Sequence, residues 1–492
     1  MSALRRCAAP RSSSPRTTLA GTAEQIRAFL SADAVLTAPE ALAPYLVDHR
    51  NLYHGRAACV VLPRSVAEVS RLLAFCHRSR IGVVPHGGNT GYCGGATPDE
   101  SGRQIVLALS RMDRIRSIDA ASYVLEAEAG CVLARLQQAA EEAGRFFPLA
   151  LGSQGSCQLG GNLSTNAGGM QVLRYGMVRD LVLGLEAVLA DGRVLTTLSA
   201  LRKDNTGYDV KSLLIGAEGT LGVITAASLK LFPRIRSHAT AFIAVASVEA
   251  AVGLLARLRE ASDDRVSSFE LIPRIALELT ARHIPGVTPP LAPNGEWFVL
   301  CELGSARAAE PLGELLQQAL GAALERGEVQ DAVLAKSERE RAAFWHLREH
   351  IPEAQRRDGA SLKHDISVPI ARLPAFVERG AAWVRDNVPD GRLVAYGHVG
   401  DGNLHFNLNQ APGADATTFS ARGPQVMRAI HDLVHEFGGS ISAEHGIGCL
   451  KLGELERYGS PVELDLMRAI KQALDPHGIM NPGKVIQASS RP

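Results

Sequence analysis

The sequence has no excess of charge. Lys and Arg number 52 against 51 Asp and Glu, a formal net charge of +1. That argues against a protein built to coat nucleic acid or an anionic membrane, though a local basic pocket for a small anion stays open. Paired cysteines are also lacking. The eight cysteines, at 7, 59, 76, 93, 131, 157, 301 and 449, are scattered and form no C-x-x-C pair. A disulfide framework and a cysteine–zinc site are both poor readings, and reduced, mostly buried thiols are expected. No run of 18 apolar residues exists, and the most apolar stretch, 239–258, contains Glu249 and Arg257. A membrane-spanning helix is therefore not expected. Acid is missing from the first 23 residues, which carry Arg5, Arg6, Arg11 and Arg16. That composition suits either a mitochondrial presequence or a bacterial extension, and 1–23 is expected to carry no fold. The corresponding compartments are the bacterial cytoplasm or the mitochondrial matrix.

Glycine is plentiful, 47 residues, and clustered. Dense glycine in a folded chain points to backbone approaching backbone or backbone approaching a ligand. With 492 residues, 46% of them hydrophobic, the chain has material for about three domains or two large ones. Its first part reads strand (59–62), helix, strand (81–84). Ser65 and Glu68 form a capping box, and Val66, Val69, Leu72, Leu73 and Cys76 give the helix an apolar face. From about 236 the rhythm changes to strands followed by long helices: 242–246 and 248–259, 297–303 and 309–326, 329–336 and 338–357, 364–368 and 371–387. This predicts an α+β domain layered on a sheet.

Three glycine loops lie in the first half. Pro85-His86-Gly87-Gly88-Asn89-Thr90-Gly91 follows a strand, and successive amides of such a loop can form an anion-binding nest. It is neither a Walker A motif nor a G-x-G-x-x-G fingerprint. Gly152 to Gly169 and Gly216 to Ile224 are the other two. Three loops together predict an extended phosphate-bearing cofactor, for which a dinucleotide such as FAD has the right length and charge.

Further on stands Tyr396-Gly397-His398-Val399-Gly400-Asp401-Gly402-Asn403-Leu404-His405-Phe406-Asn407. Asp401-Gly402 predicts a two-residue hairpin turn, which would place His398 opposite His405 and Asn407 on the same face. Two imidazoles so placed can chelate one ion. Ser442-Ala443-Glu444-His445-Gly446 supplies a carboxylate between tight, accessible backbone, so His398, His405 and Glu444 form a candidate catalytic site for zinc or another divalent ion. Arg348 on a long helix and Lys363 at the start of the next strand are candidates for a substrate carboxylate, Arg348 as a bidentate partner.

Taken together, these motifs resemble the FAD-linked oxidases of the vanillyl-alcohol oxidase/p-cresol methylhydroxylase superfamily, more narrowly the D-2-hydroxyglutarate and D-lactate dehydrogenase branch. The resemblance spans about residues 40 to 488 and includes Asn481-Pro482-Gly483-Lys484. It implies a bipartite FAD-binding domain of the p-cresol methylhydroxylase type over 40–235. A substrate or cap domain with a mainly antiparallel sheet and the metal site would cover 236–440, and 441–492 would close the active site and return to the FAD domain. FAD would be held by Pro85, Gly87, Gly88, Asn89, Thr90, Gly91, Gly160, Gly161, Asn166, Glu218, Gly222, Val223, Ile224 and Asn481. It would be non-covalent, because Asn89 stands where the covalent pattern has histidine. Arg348, Lys363, Asn407 and His445 would contact substrate, with His445 as general base. The branch has a threonine four residues after the arginine; here that residue is Pro352. The implied reaction is oxidation of a D-2-hydroxyacid, D-2-hydroxyglutarate foremost, with D-lactate, glycolate or D-malate as alternatives. A transferase like alkylglycerone-phosphate synthase and an inactive flavoprotein subunit are weaker readings. Electron-transfer flavoprotein, a quinone or a cytochrome would take the electrons, and a homodimer is left open.

Overall fold

The computed structural model describes residues 19–487. Residues 1–18 of the segment expected to carry no fold lie outside these; the remainder of that segment enters a helix, Leu19–Arg27, in which Ala23 and Ile26 are buried.

Ser65 caps the helix Val66–Ser79 by accepting from the Glu68 amide at 3.3 Å, while Glu68 reaches back to the Arg64 amide at 2.7 Å. Val69, Leu72, Leu73 and Cys76 bury its inner face. The strands on either side, Cys59–Val61 and Val83–His86, pair parallel with Ile105–Ala108. Val35–Leu36 completes this sheet antiparallel. A second sheet of five antiparallel strands has Val223–Lys230 at its centre, flanked by Val124–Glu128 and Val182–Val188. The glycine loops adjoin one another: a Cβ on Gly87 would lie 3.5 Å from Gly161, and one on Gly219 2.9 Å from the Pro85 ring.

The second half is built on antiparallel sheets, as expected. One has the order Val266–Pro273, Trp297–Ser305, Ser237–Val245, Val329–Leu334. The other is centred on Asn403–Gln410, paired with Gly391–Tyr396, Ser361–Leu362 and Asp365–Ser367. A single bridge, Leu271 to Gly397, joins the two sheets. Near its end the chain returns to the first half: Val83 bridges Met480, with the Asn481 amide donating to the Val83 carbonyl at 2.8 Å.

Two sequence expectations change form. The helix read as 338–357 is two helices, Glu338–Glu349 and Ile351–Asp358, separated at His350. Pro352 explains the break, since it has no amide to donate and its ring clashes with a preceding turn. The tight hairpin at Asp401-Gly402 does not form. Tyr396, not His398, stands opposite His405, and residues 397–402 make a longer loop. Gly397 leaves the hairpin to exchange hydrogen bonds with Leu271 at 2.9 and 3.1 Å. Its φ of +154° and a Cβ position only 2.7 Å from the Asn403 carbonyl oxygen leave room for glycine alone. Pairing with a neighbouring strand therefore outcompetes the local turn.

Candidate active site

A cavity of about 670 Å³ runs from the glycine loops to the histidine cluster. Pro85, Gly87, Gly88, Asn89, Thr90, Gly91, Gly160, Gly161, Glu218, Gly222, Val223 and Ile224 line its first part. The backbone there is as tight as the sequence implied. A Cβ on Gly88 would lie 2.2 Å from the Ser156 carbonyl oxygen, whereas Cβ atoms on Gly91 and Gly161 would meet nothing and would fill the groove. These residues fit an extended cofactor pressed against main chain. Asn166 and Asn481 do not line the cavity. Asn166 accepts from the Arg179 amide at 3.1 Å, and Asn481 donates to the carbonyls of Gly95 and Glu218 at 2.9 and 2.7 Å. Both brace the loops from behind. Glu218 is also occupied: its carboxylate accepts from the amides of Ile447 and Gly448 at 2.7 and 2.8 Å, pinning the C-terminal segment onto the groove.

The other end of the cavity is lined by Arg348, Lys363, His398, His405, Asn407, Glu444 and His445. One donor atom from each of His398, His405 and Glu444 lies within 4.8 Å of the others. The imidazoles come from the loop and the strand rather than from a register pair, yet their rings are 5.8 Å apart. The charges fit a cation. Burial, with the carboxylates of Asp365, Asp401 and Glu270, pushes Glu444 up to about 8 against the pull of His398. Burial likewise holds His405 well below its ordinary value. Two imidazoles and a carboxylate converging on one point are the donor set a divalent ion satisfies, displacing the protons they would otherwise hold.

Two buried acids that the motifs did not single out organise this end. Glu270, on Val266–Pro273, lies 2.7 Å from His398 Nδ1 and accepts from Arg348 Nε at 2.9 Å. Burial would lower His398, but Glu270 overrides it and holds it at about 9. Glu270 takes the Nε side of Arg348, which leaves the Nη1–Nη2 edge for a bidentate partner. Its Nη2, 2.7 Å from the same oxygen, is buried without a well-aligned acceptor among the described residues. Asp365, on the strand that Lys363 precedes, accepts from the amides of Glu444 and His445 at 2.9 and 2.8 Å and from Asn403 Nδ2 at 3.0 Å. It also lies 3.6 Å from His445 Nδ1. Burial, opposed only in part by Asp365, holds His445 at about 4, so it is a neutral base at pH 7. A second ligand-like group, Asp365, His405 and His445, shares His405 with the first. Its carboxylate is already occupied by amide donors, which suits positioning better than ligation.

Lys363 donates to Gln355 Oε1 at 3.2 Å, as does Asn407 Nδ2 at 3.1 Å. Among the described residues no carboxylate pairs with Lys363. Tyr92 follows the first glycine loop, lines the cavity and places its ring 4.5 Å from that of His445. Pro352 lines the same wall.

Residues 57–198 match the model of an FAD-binding domain, and residues 234–485 match that of the C-terminal domain of FAD-linked oxidases. The mitochondrial D-2-hydroxyglutarate dehydrogenase of Bos taurus is 41% identical over 461 residues, covering 92% of this chain and 81% of that protein. The D-2-hydroxyglutarate dehydrogenase of Xanthomonas citri pv. viticola is 36% identical over 456 residues, 93% of this chain and 95% of that one. Among solved structures, substrate-bound p-cresol methylhydroxylase superposes with a TM-score of 0.73 at 17% identity, covering 94% of this chain and 95% of that chain, a likeness of fold. The chain belongs to the FAD-linked oxidases, in their D-2-hydroxyglutarate dehydrogenase family. It is an FAD-dependent oxidoreductase. Among the described residues no helix is long and apolar enough to cross a membrane.

Proposed function

We propose that the chain oxidises D-2-hydroxyglutarate to 2-oxoglutarate, using non-covalent FAD and a divalent metal, most naturally zinc. The observation that carries this reading is the single cavity in which a glycine-lined groove meets His398, His405, Glu444, His445, Arg348 and Lys363. We take 40–235 as the FAD-binding domain, 236–440 as the substrate domain and 441–492 as the segment that closes the site.

FAD, when bound, accepts the hydride lost from the substrate Cα. Pro85 to Gly91, Gly160, Gly161 and the segment from Gly222 to Ile224 would hold it against main chain. Asn89 supports non-covalent attachment, since its side chain donates to the Val47 carbonyl at 2.9 Å and offers no nucleophile. His398, His405 and Glu444 would hold a divalent ion, which supplies a Lewis acid for the α-hydroxyl and its carboxylate. His445, neutral and oriented by Asp365, takes the hydroxyl proton. Lys363 and the Nη1–Nη2 edge of Arg348 hold the distal carboxylate, with Asn407 beside them. The electrons leave through an acceptor such as electron-transfer flavoprotein, a quinone or a cytochrome.

The test is anaerobic flavin bleaching across D- and L-2-hydroxyacids. D-2-hydroxyglutarate should bleach the flavin with a kcat/KM at least about tenfold above D-lactate, one decade per 1.4 kcal/mol of transition-state stabilisation. Equal or faster reduction by D-lactate, glycolate or D-malate would replace the substrate assignment, and a flavin that no D-2-hydroxyacid reduces would overturn the whole reading.

A further inference from the structure

A buried charge needs a partner, and Glu270 has two. It sits in Val266–Pro273, every residue of which is buried, and is itself 0% exposed. The bridge between Leu271 and Gly397 sets it beside His398. One oxygen lies 2.7 Å from His398 Nδ1, and the other accepts from Arg348 Nε at 2.9 Å. A carboxylate only accepts, so Nδ1 carries a proton and donates it to Glu270. Nε2 faces Glu444 Oε1 at 3.7 Å and is the nitrogen whose proton a metal ion would displace, because Nδ1 is committed to Glu270. The guanidinium is held from a second side: its carbon is 4.9 Å from the Tyr396 ring centroid, and that ring is 4.9 Å from the His405 ring. Arg348 is thus tied to one metal-site histidine through Glu270 and to the other through Tyr396.

We propose that Glu270 is a positioning residue that fixes the ligating tautomer of His398 and couples that ligand to Arg348, so that metal affinity and substrate binding are set by one buried carboxylate. This rests on the metal reading above. The fold supplies an internal control. Glu302 on Trp297–Ser305 is equally buried and accepts from Arg341 at 2.7 and 3.0 Å and from Trp345 at 2.9 Å. Arg341 and Arg348 project from the same helix, Glu338–Glu349. Glu302, however, touches no candidate ligand. A merely structural role for Glu270 would make the two acids equivalent.

The experiment measures the Zn²⁺ Kd of the full-length, FAD-loaded protein by competition with a chromophoric chelator, alongside Tm and KM. Glu270→Gln should weaken Zn²⁺ binding by about 10- to 100-fold, the usual consequence of losing a carboxylate behind a metal-bound histidine. It should also raise the KM for the hydroxyacid. Glu302→Gln should lower Tm but leave the Kd within about twofold. An unchanged Kd in Glu270→Gln, or an equal loss in both variants, overturns the proposal. If Glu270→Gln alone does not fold, Glu270→Gln/Arg348→Met removes both buried charges together, and its Zn²⁺ Kd alone is read the same way, since losing Arg348 raises KM by itself. Wild-type protein that takes up no Zn²⁺ overturns the metal reading and this inference with it, and the wild-type titration alone reveals that case.

Discussion

Burial, reinforced by Arg50 and Arg356, holds the Lys363 ammonium at about 8, well below an ordinary lysine. Its charge is present below that pH and is lost above it. If Lys363 binds the distal carboxylate, kcat/KM for D-2-hydroxyglutarate should fall above pH 8 by up to about tenfold per unit, as the free enzyme loses its cation. D-lactate, lacking that carboxylate, should show no such limb, and neither should Lys363→Met with either substrate. A limb shared by both substrates would assign the titration elsewhere. His445 makes a different prediction. Its ring is poised by Asp365 and tilted against Tyr92, and it contributes no atom to the His398–His405–Glu444 cluster. His445→Gln should lower kcat by about 10²- to 10⁴-fold, the usual range for a general base, with flavin and metal content intact. Loss of bound metal in this variant would instead make His445 a ligand.

At the scale of elements, the break at His350 carries the specificity question. Pro352 opens the second helix and lines the cavity, where a residue with a hydroxyl would add a donor. Pro352→Thr should raise kcat/KM for D-2-hydroxyglutarate by about tenfold or more while leaving D-lactate unchanged, since a charge-assisted hydrogen bond contributes roughly 1.5–3 kcal/mol. No change would show that the wall at 352 does not face the distal carboxylate. Helix capping at Ser65 and the apolar face of Val66–Ser79 are local and were readable in the sequence. The Asp401-Gly402 turn is also a local signal, and it lost to Gly397 pairing with Leu271, a contact 126 residues away in the chain. Glu270 left a trace that was available: a lone acid in an apolar strand is costly unless it is paired. Its partners, Arg348 and His398, come from other elements, so no spacing rule could name them. Asp365 lies in the strand read at 364–368, but its role depends on the amides of Glu444 and His445, which only the tertiary fold supplies.

At the scale of the whole molecule, the site is assembled from two halves with different duties. The groove comes from the first half, and the histidine cluster from the sheet around Asn403–Gln410 and the loop that carries Glu444. The halves are joined by hydrogen bonds from several elements, Arg174 to Gly304 and Ser268 to Met170 among them. Glu218 pins Ile447 and Gly448, and Asn481 ties Gly95 to Glu218. None of these passes through His398, His405 or Glu444. With the proposed metal in the cluster, its removal should therefore abolish turnover while leaving most FAD in place. Dialysis against a chelator, with elemental analysis and the flavin absorbance read together, checks this. Subsequent acid precipitation should release all the FAD into the supernatant, because Asn89 provides no attachment point and His86 is buried 3.2 Å from the Ala96 carbonyl oxygen. Yellow precipitate would point to a covalent bond. Full activity after confirmed stripping would mean that His445, Lys363 and Arg348 suffice, and that the acids around Glu444 are balanced by protons rather than by a metal.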